Sequence, residues 1–287
     1  MSVGKKIVYS LIIVVLFFFT FRLFILDDYV EKDTHKYRLE EQGFQVFKNV
    51  FDEDTIREVT QLCKSENYEK VKGQIIDDKR LHKIIQSKLD ENYQFQDYIW
   101  IIEKSVVHTC HRDNNGDFFN PGQKYPSYTL LLYLENMEKC LGVIPYSNKS
   151  KYSNGINIIF DEVVNLKCNA GDVIIFNSNL IHVGCINNKD DNLRLQLKIT
   201  HKDDLDVLNY YQNFNKVLKT ENPLPPTLRQ AQRNMSCMFP IFSDLLQGEN
   251  IRTARGSVEG VDVGTTQKWF SYIFYGNKDF YDLPNAF

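Results

Sequence analysis

"NAGDVIIFNSNLIHVGCINNKDDNLRLQLKIT", residues 169–200, decides the fold. An Asn-Ala-Gly-Asp turn opens it. Two short apolar runs follow, "VIIFN" and "LIHVGCI". An Asn/Lys/Asp-rich break then leads to "NLRLQLKIT", where apolar and polar residues alternate. Short runs of this kind, bounded by Gly, Asn and Asp, read as strands, because successive side chains on a strand face opposite ways. The same character extends upstream to Tyr98, through "YIWIIEKSVVHT", "YTLLLYLE", "GVIPYS", "INIIF" and "VVNLKC". So many short strands predict an all-β barrel or double-sheet jelly roll, a cupin-like double-stranded β-helix, with helices flanking it.

The polar residues inside these strands stand out. Arg194 lies between Leu193 and Leu195 in the alternating run. A guanidinium there demands a carboxylate partner, because a buried unpaired charge is costly. The carboxylate of a small co-substrate would serve. His182 sits in an apolar run before it. Far upstream, "SVVHTCHRDNNGD", residues 105–117, ends a strand-like run in a turn. His111 and Asp113 are two apart and share a face of a strand, whereas His108 and Cys110 are read as packed on the opposite face. One imidazole and one carboxylate from His111 and Asp113, with a second imidazole from His182, would make the facial triad of a mononuclear non-haem Fe(II) site. Taken singly the signals are weak. An H-x-D is common, a lone His in an apolar run is usually a satisfied core residue, and a lone Arg is usually a salt-bridge partner. Their order and spacing together point to metal.

The flanks bound the rest. The net charge of −3 over 287 residues offers no basic footprint for nucleic acid, and none is expected as a partner. "IVYSLIIVVLFFFTF", Ile7 to Phe21, carries no charge; Arg22 interrupts, and "LFIL" continues to Leu26. A helix through the run from Ile7 to Leu26 has the length of about 20 residues that crosses a bilayer, and residues 1–26 read as a transmembrane anchor. Lys5 and Lys6 before the run, and Asp27 and Asp28 after it, predict a cytosolic N-terminus and a lumenal or extracytoplasmic domain, with Arg22 reaching the headgroups. The run ends without a small-x-small cleavage site, which favours an uncleaved signal-anchor over a signal peptide. Residues 27–40 read as a charged stalk, 41–200 as the β domain, and 201–287 as a helical extension packed on it. Gly43–Val50 alternates like a strand. Asp52 or Asp54 caps a helix carrying Ile56, Val59, Leu62 and Cys63, and residues 79–89 form a second. "DVLNYYQNFNKVLKT" and "TLRQAQRNMSCMFPIFSDLLQ" read as helices beyond Thr200. Six cysteines without a CxxC give no structural zinc signal. A lumenal domain permits disulfides, their pairing left open. Sequons at Asn148 and Asn234 permit glycosylation.

Four stretches resemble the phytanoyl-CoA dioxygenase-like family of Fe(II)- and 2-oxoglutarate-dependent oxygenases: "EEQGFQVFKNVFDEDTIREV", "HTCHRD", "YTLLLYLENMEKCLGVIPYSNKS" and "NAGDVIIFNSNLIHVGCINNKDDNLRLQLKIT". They cover residues 40–200. The resemblance implies that His111, Asp113 and His182 ligate Fe(II) and that Arg194 holds the distal carboxylate of 2-oxoglutarate. It implies O2 as oxidant, ascorbate as an accessory reductant, and hydroxylation of a substrate with release of succinate and CO2. The aspartate argues against a halogenase. Two departures are evident. Tyr146 and Asn148 stand where the family often has Gly and His, and Gly184 stands where it often has a small hydroxyl residue. Tyr128 is read as lining the pocket and contacting the co-substrate.

The expectation is a membrane-anchored dioxygenase acting on an unidentified small-molecule, lipid or glycan substrate. Two other classes compete. A type II membrane glycosyltransferase would share the anchor, but "DLD" at Asp204–Asp206 follows no apolar strand and alternating βα units are missing. A non-catalytic jelly-roll binding protein would keep the fold without turnover.

Overall fold

The computed structural model describes residues 3–25, 29–104, 109–157, 163–186, 191–219 and 223–245, with five isolated positions between 265 and 273. Two sheets face each other. The larger has the order β11-β4-β10-β5-β8-β2, with β3 paired to β10; the smaller has the order β1-β7-β6-β9. Their strands are β1 Val30–Glu31, β2 Phe44–Phe47, β3 Tyr93–Phe95, β4 Tyr98–Lys104, β5 Tyr128–Tyr133, β6 Met137–Val143, β7 Val164–Cys168, β8 Val173–Asn177, β9 His182–Gly184, β10 Asp191–His201 and β11 Phe214–Leu218. The chain thus builds mixed sheets with flanking helices, the arrangement of a jelly roll.

Two cores follow from the period-two pattern. On the outer face of the large sheet, Leu193, Leu195, Leu197 and Ile199 of β10 join Leu130, Leu132, Val173 and Ile175 in one buried cluster. A short helix, α2 (Leu39–Gln42), precedes β2, and helices α3 (Glu53–Lys64), α4 (Tyr68–Ile76) and α5 (Lys79–Lys88) cover that cluster with Ile56, Val59, Val71, Ile75, Leu81 and Ile85. Each such side chain contributes roughly 1.5–3 kcal/mol by leaving water. Between the sheets, Phe44, Val46, Leu131, Tyr133, Leu141, Val143, Leu166, Ile174 and Phe176 form the second cluster. β8 serves both, so every residue of "VIIFN" is buried. Gly171, before β8, has φ 89°, and a Cβ there would collide with the Phe51 carbonyl. Only glycine lets the 169–172 turn close on the segment that leads into α3.

Several expected elements form. Asp52 is the N-cap of α3, its carboxylate accepting from Thr55 N at 2.8 Å. Asp78 caps α5. α6 (Pro226–Met238) and α7 (Ile241–Leu245) fall where a helical tail was read. The helix α4 had no reading from the sequence.

Three expectations need correction. Among the described residues, 29–40 do not form a free stalk: β1 pairs in parallel with β7, and Glu31, Thr34 and Tyr37 are buried. "DVLNYYQNFNKVLKT" is not a helix. It makes a 3-10 turn and then β11, which pairs in parallel with β4, Phe214 opposite Tyr98 through Leu218 opposite Ile102. Its apolar residues fill an open sheet edge, so tertiary pairing overrides local preference. Arg22 does not project outward; it is buried, with one guanidinium nitrogen 3.4 Å from the Asn157 carbonyl oxygen.

The N-terminal run forms α1 (Val3–Thr20), continued by a π-helical turn over Phe21–Ile25. Among the described residues it is the one helix long and apolar enough to cross a membrane, and its apolar side chains from Ile7 to Phe17 are exposed. Of the two sequons, Asn234 lies inside α6, buried, donating to the Leu23 carbonyl at 3.0 Å. A glycan has no room there. Most of "INIIF" and all of His108 lie outside the described residues.

Candidate metal centre

β10 carries a polar stripe as well as its apolar one. Arg194, Gln196, Lys198 and Thr200 alternate with the four core residues, and all are buried. This stripe faces the space between the sheets, where Lys198 reaches Asp113. Opposite it, the small sheet ends at β9, whose first residue is His182. His111 and His182 form an isolated antiparallel bridge, His111 N to His182 O at 3.0 Å and His182 N to His111 O at 2.9 Å. The bridge brings the two imidazoles within 4.3 Å, centroid to centroid. Asp113 N donates to Ser178 O at 2.8 Å, which fixes the carboxylate beside them.

One ligand atom from each of His111, Asp113 and His182 lies within 4.8 Å of the other two, a spread a single cation can span. Both rings are held in the same sense. Nδ1 of His111 lies 2.7 Å from Thr109 O, and Nδ1 of His182 lies 3.0 Å from Leu180 O. A carbonyl oxygen can only accept, so each Nδ1 carries the proton and each Nε2 presents its lone pair. Those Nε2 atoms lie 3.9 and 3.8 Å from Asp113 Oδ1. Two neutral imidazoles and one carboxylate with this orientation fit a divalent iron-type cation.

Charge supports that state. Burial alone would raise the Asp113 carboxyl, but the Lys198 ammonium bonded to Oδ2 outweighs it and holds the group well below the ordinary range. Burial lowers the His182 imidazole below its usual value, partly opposed by Asp113, so the ring is neutral near pH 7.

Arg194 pairs with Tyr133 and Ile102 on the neighbouring strands. Burial pulls its guanidinium down, with Tyr133, Cys140 and Cys185 opposing. Its one hydrogen bond among the described residues is to Asn192 O at 3.3 Å, and it has no described carboxylate partner. The demand for an acid, raised by the sequence, is therefore not met by the described protein.

Tyr128 does not line this space. It sits on the helix-covered face of β5, its ring edge-on to Tyr93 at 5.6 Å, and burial pushes its phenol up to about 12. The strand alternation explains the correction: Thr129, not Tyr128, shares the face of Asp113 and donates to Oδ2 at 2.6 Å. Lys198 was also missed. Its signal was present, since it lies in the same alternating run as Arg194 and two strand periods beyond it. Cys110 is not merely packed away from the site; it is disulfide-bonded to Cys237 of α6. Tyr146 sits at φ 67°, in the left-handed region that favours glycine.

No family model matches the chain, and no curated protein matches it. Solved structures do. HygX from Streptomyces hygroscopicus, with nickel and 2-oxoglutarate bound, is 15% identical with TM-score 0.47, over 57% of this chain and 84% of that one. SnoN, a non-heme alpha-ketoglutarate-dependent epimerase from nogalamycin biosynthesis, is 14% identical with TM-score 0.46, over 57% and 78%. EvdO2 from Micromonospora carbonacea var. aurantiaca, complexed with 2-oxoglutarate, is 14% identical with TM-score 0.46, over 60% and 92%. At such low identity and score, the chemistry of this site stands on its own donor set.

Proposed function

We propose that the chain is an Fe(II)- and 2-oxoglutarate-dependent dioxygenase of the phytanoyl-CoA dioxygenase-like type, which hydroxylates a small-molecule, lipid or glycan substrate. The observation that carries this is a three-ligand face sharing one inter-sheet space with a buried guanidinium whose acid partner is missing among the described residues. His111, Asp113 and His182 would hold the iron. Arg194 would take the distal carboxylate of 2-oxoglutarate as a charge-assisted pair. Iron and 2-oxoglutarate, when bound, supply the activation of O2 coupled to loss of CO2 and formation of succinate. The protein's own part is to orient. Thr109 O and Leu180 O fix the imidazole tautomers, and the paired backbones of residues 111 and 182 fix their separation. The inter-sheet core beside them buries Asp113 and His182.

α1 is proposed as a signal-anchor with its N-terminus in the cytosol. The Cys110–Cys237 disulfide supports a lumenal or extracytoplasmic domain, since such bonds persist in oxidising compartments.

The test is anaerobic absorption spectroscopy on the full chain in detergent, adding Fe(II) and then 2-oxoglutarate. A visible charge-transfer band should require both additions. His182→Ala should abolish it, and Arg194→Met should keep metal binding while demanding far more 2-oxoglutarate. Well-folded protein without a band would instead indicate a jelly-roll binding protein.

A further inference from the structure

Asp113 has two carboxylate oxygens, and the structure treats them differently. Oδ1 is the one near both imidazoles, 3.9 Å from His111 Nε2 and 3.8 Å from His182 Nε2. Oδ2 is engaged by Lys198 Nζ at 2.7 Å and Thr129 Oγ1 at 2.6 Å. Lys198 also donates to Thr129 Oγ1 at 2.8 Å, which turns the hydroxyl proton towards the carboxylate. Lys198 and Thr129 are cross-strand partners on β10 and β5, and both are wholly inaccessible. The rings of Tyr211 and Tyr98 lie 5.5 and 5.9 Å from the ammonium, so the side chain is boxed in as well as bonded.

A carboxylate binds a hard cation through one oxygen or through both. With one, two histidines and an aspartate fill three positions and leave three open, enough for a chelating 2-oxo acid and for O2. With both, one of those positions is lost. A cation fixed on Oδ2 disfavours the two-oxygen mode, because a metal reaching that oxygen would have to approach the ammonium.

We propose that Lys198, backed by Thr129, is a positioning residue that keeps Asp113 a one-oxygen ligand and so reserves a coordination position for co-substrate. The inference rests on the metal-centre reading given above. It has an unusual sign. Lys198 repels a divalent ion, so its removal strengthens metal binding while weakening 2-oxoglutarate binding. A residue that merely held the fold together would weaken both.

The experiment compares full-length wild type, Lys198→Met and Thr129→Val, with Mn(II) as the probe metal, followed by electron paramagnetic resonance. 2-Oxoglutarate is then titrated onto the Mn(II)-loaded protein. Lys198→Met should bind Mn(II) about tenfold more tightly, from loss of charge repulsion. It should bind 2-oxoglutarate about tenfold more weakly, in the range seen when groups behind metal ligands are removed. Thr129→Val keeps the ammonium and serves if Lys198→Met does not fold. Its 2-oxoglutarate affinity should fall about threefold with no loss of Mn(II) affinity, and Thr129→Ser should restore it. Parallel weakening of both ligands, or no change in either, overturns the proposal while leaving the metal centre standing. Failure of the wild type to bind Mn(II) would remove the metal centre and the proposal with it.

Discussion

Replacing Arg112 with Met should destabilise the protein and loosen the metal centre together. Arg112 lies between His111 and Asp113 in sequence, so strand alternation points it away from them, and it is fully buried. Its guanidinium pairs with Asp244 of α7. It also donates to Asn179 O at 2.9 Å, Ser153 O at 2.9 Å and Ser147 O at 3.3 Å. It therefore ties the H-x-D segment to three chain segments: the turn before β9, the loop after β6, and α7. Methionine would fill much of the space but take the guanidinium from the Asp244 carboxylate and from the Asn179 and Ser153 carbonyls, while Ser147 O would keep Ser153 Oγ at 3.2 Å. Breaking one side of a buried ion pair costs roughly 3–5 kcal/mol. For a chain of this size that is roughly 2–4 °C of melting temperature per kcal/mol, so a fall of about 10 °C is expected. Lys in place of Arg keeps the charge but not the fork, and should recover only part of the loss. Differential scanning calorimetry gives the stability and Mn(II) titration gives the site. An Arg112→Met protein that melts like wild type and binds Mn(II) equally well would refute this account of how the H-x-D pair is held.

Acid should act on the metal-free protein through His182 first. Its folded-state value lies below the ordinary one near 6.5 because it is buried neutral, so the stability it contributes is present above about pH 6.5 and is lost as pH falls through the lowered value. Asp113 is held below the ordinary carboxylate range, so its contribution is present above about pH 4 and disappears only in stronger acid. Urea midpoints against pH should decline below neutrality, and His182→Asn should flatten that decline. Reduction of Cys110–Cys237, which joins residues 127 apart in sequence, should cost roughly 2–5 kcal/mol. Melting with and without reductant would show it, and Cys110→Ser with Cys237→Ser should match the reduced curve.

The grouping of His111, Asp113 and His182 into a candidate metal centre was legible because its parts obey local rules. Period two put His111 and Asp113 on one face and set Arg194 against an apolar row. The same rule, carried two periods further along β10, reaches Lys198, and applied to β5 it selects Thr129 over Tyr128. Those residues were missed because a lysine or threonine in a strand has many ordinary partners. Its partner here, Asp113, is remote in sequence.

The sequence by itself determined where many of the strands and helices begin: glycine and asparagine turns, the aspartate cap on α3, and the alternation that separates the two cores. It also determined that the N-terminal run is an apolar helix. Tertiary structure decided what backbone pairing alone can decide. An open edge on β4 drew residues 214–218 into a strand, and β7 drew Val30–Glu31 out of a solvated stalk. Cys110 found Cys237 through α6, and Arg22 found the Asn157 carbonyl. Each outcome depends on which edge or polar group remains unsatisfied once the sheets have closed. That is a property of the assembled backbone, and no local stretch of sequence contains it.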